Sequence, residues 1–265
     1  MTPLDAFILG LVQGLTEFLP VSSSGHLVIA EQLLGFHRAG LAFEIWLHLA
    51  TLAAVTTALR RDIGMAVRSL APRAPEAIRK PGRLLVLCLL VGTLPAALVG
   101  FFLGDLVEAG FGSVRLVGVD LLVTALILLS TRWIPEGKAP LTVRRALLVG
   151  AAQAVAVLPG VSRSGSTLAA GLATGLPGME AARFSFLLSV PIILGAVVVE
   201  LHHLAELGAQ APLALAVGFV ASAVSGYFSV GIVWRVMQRR RLALFAPYCA
   251  VIGILAILWG GSLPR

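Results

Sequence analysis

The chain has 265 residues, of which 58% are hydrophobic and 12% are charged, and its mean hydropathy is +0.96. Soluble domains carry about a quarter charged residues, so this composition excludes an ordinary soluble fold and predicts a membrane protein with many helices. The formal charge of +7 is not read as nucleic-acid binding, because basic residues of membrane proteins gather in cytoplasmic loops.

The first predicted elements are apolar runs long enough to cross a bilayer as helices. These runs comprise residues 40–59, 83–103, 114–130, 183–199, 212–236 and 242–260. Two further runs, 4–35 and 143–176, are each interrupted by a polar break, PVSSSG in the first and PGVSRSG in the second. Each half of a broken run is too short to cross alone, so we expect both runs to form re-entrant hairpins. The two cysteines, Cys88 and Cys249, fall inside predicted spans, which argues against a disulfide.

The charged segments between the spans predict the orientation of the chain. Segments 60–83, 131–145 and 235–241 are rich in arginine and lysine, whereas segments 104–112 and 200–210 are poor in both. The positive-inside rule places the first three in the cytoplasm and the other two outside. Counting spans then requires run 143–176 to start and end in the cytoplasm. By symmetry, run 4–35 enters from outside.

The two halves of the chain resemble each other, and each contains a hairpin followed by three spans. We therefore predict an all-α polytopic membrane protein with an inverted-topology repeat, the first repeat covering about residues 1–134 and the second about 135–265, in one membrane domain. Displaced by 140 residues, GLVQGLTEFLPVSSSG lies on GAAQAVAVLPGVSRSG. The matched pairs are Gly10 with Gly150, Gln13 with Gln153, Val21 with Val161, Ser22 with Ser162, Ser24 with Ser164 and Gly25 with Gly165. Such repeats place a site at mid-membrane, where their helices are broken.

The breaks predict a site for an anion. A serine can cap the helix that begins near residue 23 or 24, and the open N–H groups at a helix start attract negative charge. Two facing helix starts would form a phosphate pocket. Its candidate phosphate-binding residues are Ser22, Ser24, Ser162, Arg163, Ser164 and Gly165. The planar fork of Arg163 suits phosphate oxygens; its alternative partners are free carbonyls or Glu17.

Gln13 and Glu17 are four residues apart, so they share one helix face. A carboxylate at the negative end of that helix needs a cation, a proton or an arginine nearby. One solution is a divalent cation, Mg²⁺ or alternatively Ca²⁺, held by Glu17 and Gln13 together with substrate phosphates. Glu17 could instead act as an acid or base, or the two residues could form a polar packing pair.

Ser23 and His26 are three residues apart, within one turn of the new helix. A serine beside a histidine is a usable nucleophile and base. Alternatively, His26 is itself the nucleophile, or it only bonds a carbonyl. Other polar residues inside predicted spans are Glu44, His48, Asp120 and Arg183. For Glu44 and Arg183, snorkelling from the span ends is an adequate explanation.

The stretches QGLTEFLPVSSSGH and LPGVSRSGS resemble the two signature motifs of the undecaprenyl-diphosphate phosphatases, a bacterial membrane family linked to bacitracin resistance. The resemblance covers essentially the whole chain, including FEIWLHLATLAAV and ARFSFLLSVP. It implies hydrolysis of a polyprenyl diphosphate to the monophosphate and inorganic phosphate, which recycles the lipid carrier of cell-wall synthesis. It also implies dependence on a divalent cation and an active site open to the extracytoplasmic face of the bacterial cytoplasmic membrane.

By the same resemblance, the catalytic residues are Glu17, Ser23, His26 and Arg163. The first motif of the family begins with Glu or Gln; here that position is Gln13, so only one carboxylate is available to a metal. The expected partners are the polyprenyl diphosphate and the bilayer, not nucleic acid, and a homodimer is compatible with the resemblance. The rival interpretation is a secondary transporter of polyprenyl phosphate, because inverted repeats with a mid-membrane anion site also describe transporters.

Overall fold

The computed structural model describes residues 1–35, 41–199 and 211–260, and in these ranges the secondary structure consists of helices joined by turns. The α-helices are α1 (Pro3–Phe18), α2 (Ser23–Leu33), α3 (Leu41–Ala58), α4 (Arg60–Ser69), α5 (Glu76–Phe111), α6 (Val114–Ser130), α7 (Val143–Val155), α8 (Arg163–Ala173), α9 (Gly178–Val199), α10 (Pro212–Gln238) and α11 (Ala246–Gly260). Short 3₁₀ turns at Thr131–Trp133 and Leu242–Phe245 extend α6 and precede α11.

Five of the helical stretches described are long and apolar enough to cross a membrane: Glu76–Gly104, Val114–Trp133, Gly178–Val199, Pro212–Gln238 and Leu242–Gly260. Helices α3 and α4 would add a sixth as one pair bent by 82°. The six apolar runs of the sequence therefore correspond to α3, α5, α6, α9, α10 and α11. The chain is a multi-pass membrane protein, as its composition predicted.

Both broken runs fold as two helices with a turn between them. Helix α1 begins with a capping box between Thr2 and Asp5, and it ends before Pro20 because the residue preceding a proline avoids the helical conformation. After the turn, Ser22 caps α2. In the second run, Thr142 caps α7, and Ser162 caps α8 after the turn containing Pro159. The predicted helix start near residue 23 is confirmed.

Two segments predicted as loops are helical. Segment 60–83 contains α4 and the beginning of α5. Helix α4 can form because arginine, Met65 and Ala66 favour helix and the first proline after Arg60 is Pro72. Segment 104–112 continues α5 through Phe111, beyond a non-helical residue at Leu103. Segment 200–210, which was also predicted as a loop, lies outside the described residues.

Glycines bring several of the helices into backbone contact. A Cβ atom at Gly10 would lie 2.4 Å from the carbonyl oxygen of Gly218, so α1 can approach α10 this closely only without a side chain there. A Cβ atom at Gly150 would likewise lie 2.4 Å from the oxygen of Gly92, where α7 crosses α5. Small residues serve this purpose in membrane helices generally. These contacts fix α1 and α7, and hence the two breaks, within the bundle. Both cysteines are free and buried, Cys88 in α5 and Cys249 in α11.

Candidate active site

The first break is a strained turn capped by serine. The Gly25 amide donates to Ser22 Oγ at 3.3 Å, and the hydroxyls of Ser22 and Ser24 are 3.3 Å apart. Ser22 has a φ of 70°, a region that residues other than glycine rarely occupy. Strained backbone of this kind occurs often at functional sites. The capped end of α2 therefore presents Ser23 on its first turn.

The second break repeats this cap without the strain. The Gly165 amide donates to Ser162 Oγ at 3.0 Å, and the hydroxyls of Ser162 and Ser164 are 3.2 Å apart. Thr124 on α6 braces the turn, because its Oγ1 accepts from the Ser162 amide and donates to the Gly160 carbonyl, both at 2.9 Å. The start of α8, with Arg163 as its first residue, is thereby fixed to α6.

The two breaks lie against each other in the interior. Ser164 Oγ donates to the carbonyl of Leu19 at 2.9 Å, which joins α8 to the end of α1. A Cβ atom at Gly25 would lie 3.1 Å from Gly160 Cα, so the two turns also touch through their backbones. Residues 146 positions apart in the sequence, Glu17 and Arg163, are brought together at this junction.

Glu17 is the centre of the polar cluster. It is 6% exposed, and its Oε1 accepts from Arg163 Nη2 at 2.8 Å. Its Oε2 accepts from Ser23 Oγ at 2.7 Å and from Gln13 Nε2 at 3.0 Å, while His48 Nε2 lies 3.7 Å away. A buried carboxylate is stable only when paired and hydrogen-bonded. The cluster therefore holds a serine hydroxyl and a guanidinium at one carboxylate.

Two buried atoms of this cluster have no hydrogen-bond partner among the described residues, Arg163 Nη1 and Gln13 Oε1. A buried donor or acceptor left unpaired costs about 1–3 kcal/mol, so each marks a place where a further group can bind. Arg163 thus pairs with Glu17 through Nη2 and leaves Nη1 unpaired. Both alternatives that the sequence left open for Arg163 are observed, because Nη2 donates to the Glu17 carboxylate at 2.8 Å and to the Glu17 carbonyl at 3.5 Å.

His26 is engaged on both ring nitrogens. Its Nδ1 lies 2.8 Å from the carbonyl of Ser22, so that nitrogen carries the proton, because a carbonyl can only accept. Its Nε2 is then able to accept from the Tyr248 hydroxyl at 2.8 Å, and the two rings stack with centroids 5.6 Å apart. Ser23 donates to Glu17; the predicted pairing of Ser23 with His26 is not seen in the described hydrogen bonds.

Several residues of the site were not assigned to it from the sequence. His48 and Thr124 lie on α3 and α6, and Tyr248 lies on α11. The only available signal was polarity inside an apolar span, which marks functional positions; His48 showed it. Arg183, attributed to snorkelling, instead forms ion pairs with Asp62 and Glu180.

The oxygen atoms around Glu17 can be compared with the ligands that a divalent cation requires. Within the described ranges, no group of three or more His, Cys, Asp or Glu side chains is placed so that it could hold a metal ion. Mg²⁺, however, is commonly bound through one or two carboxylates plus substrate phosphates, and Glu17 with the unpartnered Gln13 Oε1 fits that smaller donor set.

Fold and site together define a class: a multi-pass helical membrane protein with a buried carboxylate–arginine–serine cluster between two broken helices. The family model described as "Bacitracin resistance protein BacA" matches residues 6–255, and the chain belongs to that family.

Curated relatives match over nearly their full length. A protein of Korarchaeum cryptofilum named "Undecaprenyl-diphosphatase" is 43% identical over 94% of this chain and 96% of its own. Relatives of the same name from Methanosphaera stadtmanae and Desulfosudis oleivorans are 40% and 42% identical, over 96% and 98% of this chain and 97% and 99% of their own. Because archaea are among these sources, the expectation of a bacterial membrane stays a prediction.

Proposed function

We infer that this protein is an undecaprenyl-diphosphatase, which hydrolyses undecaprenyl diphosphate to the monophosphate and inorganic phosphate. Relatives of that name match almost the whole chain. The observation that carries the proposal at the level of residues is the convergence of Ser23 and Arg163 on Glu17. A nucleophile, a proton acceptor and a phosphate-binding cation are thereby within one hydrogen-bonded cluster.

In the proposed complex, the terminal phosphate lies between the starts of α2 and α8. The first amides of a helix have no partner within it and point towards a bound anion. The residues that would hold the phosphate are Ser22, Ser24, Ser162, Arg163, Ser164 and Gly165. Arg163 Nη1, buried without a partner, would donate to a phosphate oxygen. Phosphoryl transfer depends mainly on such positioning and charge stabilisation.

We propose that Ser23 Oγ attacks the terminal phosphorus. A bond forms between Oγ and phosphorus, the bridging P–O bond breaks, and the polyprenyl monophosphate leaves. The serine proton passes to Glu17 Oε2, which already accepts the Ser23 hydrogen bond at 2.7 Å. Water then attacks the phosphoserine, the bond between phosphorus and Oγ breaks, and Glu17 returns its proton to Ser23 Oγ as inorganic phosphate leaves. Arg163 balances the negative charge in both steps.

His26 is the alternative nucleophile, through a phosphohistidine at Nε2. That nitrogen lies 2.8 Å from the Tyr248 hydroxyl, so attack by His26 requires this contact to open first. In the proposal, His26 therefore positions α2 against α11 through its contact with Tyr248, and Ser23 reacts. His48, 3.7 Å from Glu17 Oε2, helps to hold the carboxylate.

A divalent cation, Mg²⁺ or Ca²⁺, is part of the proposal as a group held by Glu17 and Gln13 Oε1. When bound there, it would neutralise charge on the phosphate oxygens. Glu17 is shared with Arg163 and Ser23, so the protein supplies few ligands and the substrate supplies the others. This arrangement predicts that cation affinity rises when the diphosphate is present.

We also propose that the two halves form the inverted repeat suggested by the sequence. The close approach of Gly10 to Gly218 is matched by that of Gly150 to Gly92, since an added Cβ atom would lie 2.4 Å from the facing carbonyl oxygen in each case. Between α6 and α11, a Cβ atom added at Gly118 would lie 2.7 Å from the Gly253 carbonyl oxygen, and one added at Gly253 would lie 2.7 Å from the Gly118 carbonyl oxygen. Reciprocal contacts are what a two-fold axis produces.

With basic segments in the cytoplasm, the site would open to the extracytoplasmic face of the cytoplasmic membrane. A homodimer remains part of the proposal.

The test is phosphate release from undecaprenyl diphosphate by the purified protein in detergent, with magnesium or with chelator. We expect release in magnesium that is lost in folded Glu17→Ala and Arg163→Ala variants. Absence of release from any polyprenyl diphosphate, with the lipid still bound, would sink the phosphatase proposal. The secondary transporter of polyprenyl phosphate would then take its place.

A further inference from the structure

A cleft lies beside α10, away from the buried cluster. Helices α3 and α10 contact each other along their length: Trp46 donates to the Leu215 carbonyl at 3.0 Å, and further along, a Cβ atom at Gly226 would lie 3.3 Å from Ala54. The contacts advance in the same direction along both helices. Helix α3 therefore ends beside the last third of α10, and there α4 turns away by 82°.

This corner encloses an open cleft of about 380 Å³, which we call the elbow cleft. Its walls are Arg60, Arg61 and Asp62 from the corner and Tyr227, Gly231 and Trp234 from α10. A Cβ atom added at Gly231 would meet nothing within 4 Å, so the α10 side of the cleft is open. Arg60 lies twelve residues beyond His48, about 18 Å along helical chain, so this cleft is separate from the buried site.

The elbow cleft carries net positive charge. Arg60 and Arg61 are exposed, and no ion pair found within the described ranges engages either of them. The acidic wall residue, Asp62, is bound to Arg183, so its charge is already compensated. Two arginines are thus available to one anionic group, and arginine binds phosphate oxygens with a geometry that matches its fork.

Helix α4 has the surface of a helix that lies at a membrane interface. Its inner face buries Ala66 and Ser69. Its outer surface has an apolar sector formed by Val67, 63% exposed, and the C-cap residue Leu70, 57% exposed. A basic sector with Arg60, Arg61 and Arg68 lies beside it. Amphipathic helices with this pattern rest between headgroups and acyl chains. Trp234 and Tyr227 in the cleft are aromatic residues of the kind enriched at that level.

We propose that the elbow cleft binds the headgroup of an anionic phospholipid, with its phosphate between Arg60 and Arg61. Its acyl chains would follow α10 past Tyr227 and Phe228, which are 48% and 64% exposed. The cleft should prefer an anionic to a zwitterionic phospholipid, because a zwitterionic headgroup carries a cationic group that the two arginines repel. This site is independent of the phosphatase proposal and would survive its failure.

The test uses native mass spectrometry of the full-length protein with equal amounts of phosphatidylglycerol and phosphatidylcholine. One arm removes charge in Arg60→Gln/Arg61→Gln, with Arg132→Gln/Arg144→Gln as the control of equal charge change at exposed positions. A second arm fills the cleft with Gly231→Leu. Its control is Gly195→Leu, because a Cβ atom at Gly195 also meets nothing within 4 Å.

We expect the wild type to retain phosphatidylglycerol in preference to phosphatidylcholine. The arginine pair variant should lose that preference by about tenfold or more, since each basic residue near an anionic surface contributes about fivefold. Gly231→Leu should displace the lipid, and both controls should bind as wild type. Equal retention of the two lipids by the wild type would overturn the proposal. So would losses in the controls as large as those in the cleft variants, a result that would indicate general surface charge.

Discussion

In the first break, Ser22 Oγ accepts from the Gly25 amide, and in the second, Ser162 Oγ accepts from the Gly165 amide. Beyond these shared caps, the side chains differ. The first break carries Glu17, whereas the position 140 residues later is Val157. Ser23 corresponds in the same way to Arg163. The serine-capped helix start is thus present twice. The proposed nucleophile Ser23 and the carboxylate of Glu17 belong to the first hairpin, and the guanidinium of Arg163 belongs to the second.

This difference shows why duplication alone does not make the site. If both breaks carried a carboxylate, two negative charges would be buried side by side. If both carried an arginine, two positive charges would be. Either arrangement costs free energy in the interior, because neither charge is paired. The observed pair, Arg163 with Glu17 at 2.8 Å, resolves this conflict. We expect the first break to supply the reacting groups and the second break to bind the negative charge of the phosphate.

The largest effect is expected from Ser23→Ala, compared with Ser166→Ala in the second hairpin. Loss of the nucleophile should lower kcat/KM by about 10⁴-fold or more. Ser166 Oγ is buried without a partner among the described residues, so its removal should change kcat/KM little and leave stability equal or higher. Initial rates of phosphate release measure both. Comparable losses in the two variants would contradict a division of labour between the breaks.

Arg163→Lys should lower kcat/KM by about 10³-fold, because an ammonium can neutralise Glu17 but cannot serve the carboxylate and phosphate together. Arg163→Met leaves Glu17 unpaired in the interior and should cost about 3–5 kcal/mol of stability. Thermal unfolding in detergent, measured beside the kinetics, separates the two effects. A lysine variant with near wild-type activity would show that only charge is needed at this position.

The corresponding glutamines test the comparison more finely. Gln13 donates to Glu17, whereas Gln153 donates to the Gly92 carbonyl. Gln13→Ala should lower kcat/KM by about 10–100-fold, since a displaced carboxylate misplaces the serine. Gln153→Ala should leave kcat/KM within about twofold while destabilising the protein by about 1–3 kcal/mol. If Gln153→Ala lost activity and Gln13→Ala lost only stability, the chemistry would belong to the second break and the account would be wrong.

The smallest effect concerns the caps. Ser22 has a φ of 70°, but Ser162 has a φ of −72°. Replacing Ser22 by glycine relieves backbone strain, because glycine adopts a positive φ without cost. Replacing Ser162 by glycine only increases the conformational freedom of the unfolded chain. Ser22→Gly should therefore be more stable than Ser162→Gly by about 1 kcal/mol. Equal losses in thermal unfolding would indicate that the φ of Ser22 carries no strain.

Much of this architecture could be predicted from the sequence. Apolar run length located the spans, and the proline and serines of each break located the starts of α2 and α8, because these signals act over a few neighbouring residues. The charge run 60–83 concealed α4, since arginines on an amphipathic helix at an interface look like those of a loop. Spacing could not predict that Ser23 pairs with Glu17, because that contact depends on the turn at Pro20.

Long-range partners were the least predictable part of the site. Glu17 was only one of several candidate partners for Arg163, and His48, Thr124 and Tyr248 reach the site from three separate helices. A single sequence carries no signal of which spans are neighbours. The glycine contacts that decide this, such as Gly10 against Gly218, are recognisable only once the helices are placed.

The most direct measurement is a rapid-quench experiment with undecaprenyl diphosphate labelled in its terminal phosphate, divided between acid and alkaline quench. Mass spectrometry of the quenched protein then locates the label. The account predicts an acid-stable phosphoserine at Ser23 that is lost in Ser23→Ala and accumulates when its hydrolysis is slowed. An acid-labile, alkali-stable label on His26 would contradict it and transfer the nucleophile from Ser23 to the imidazole.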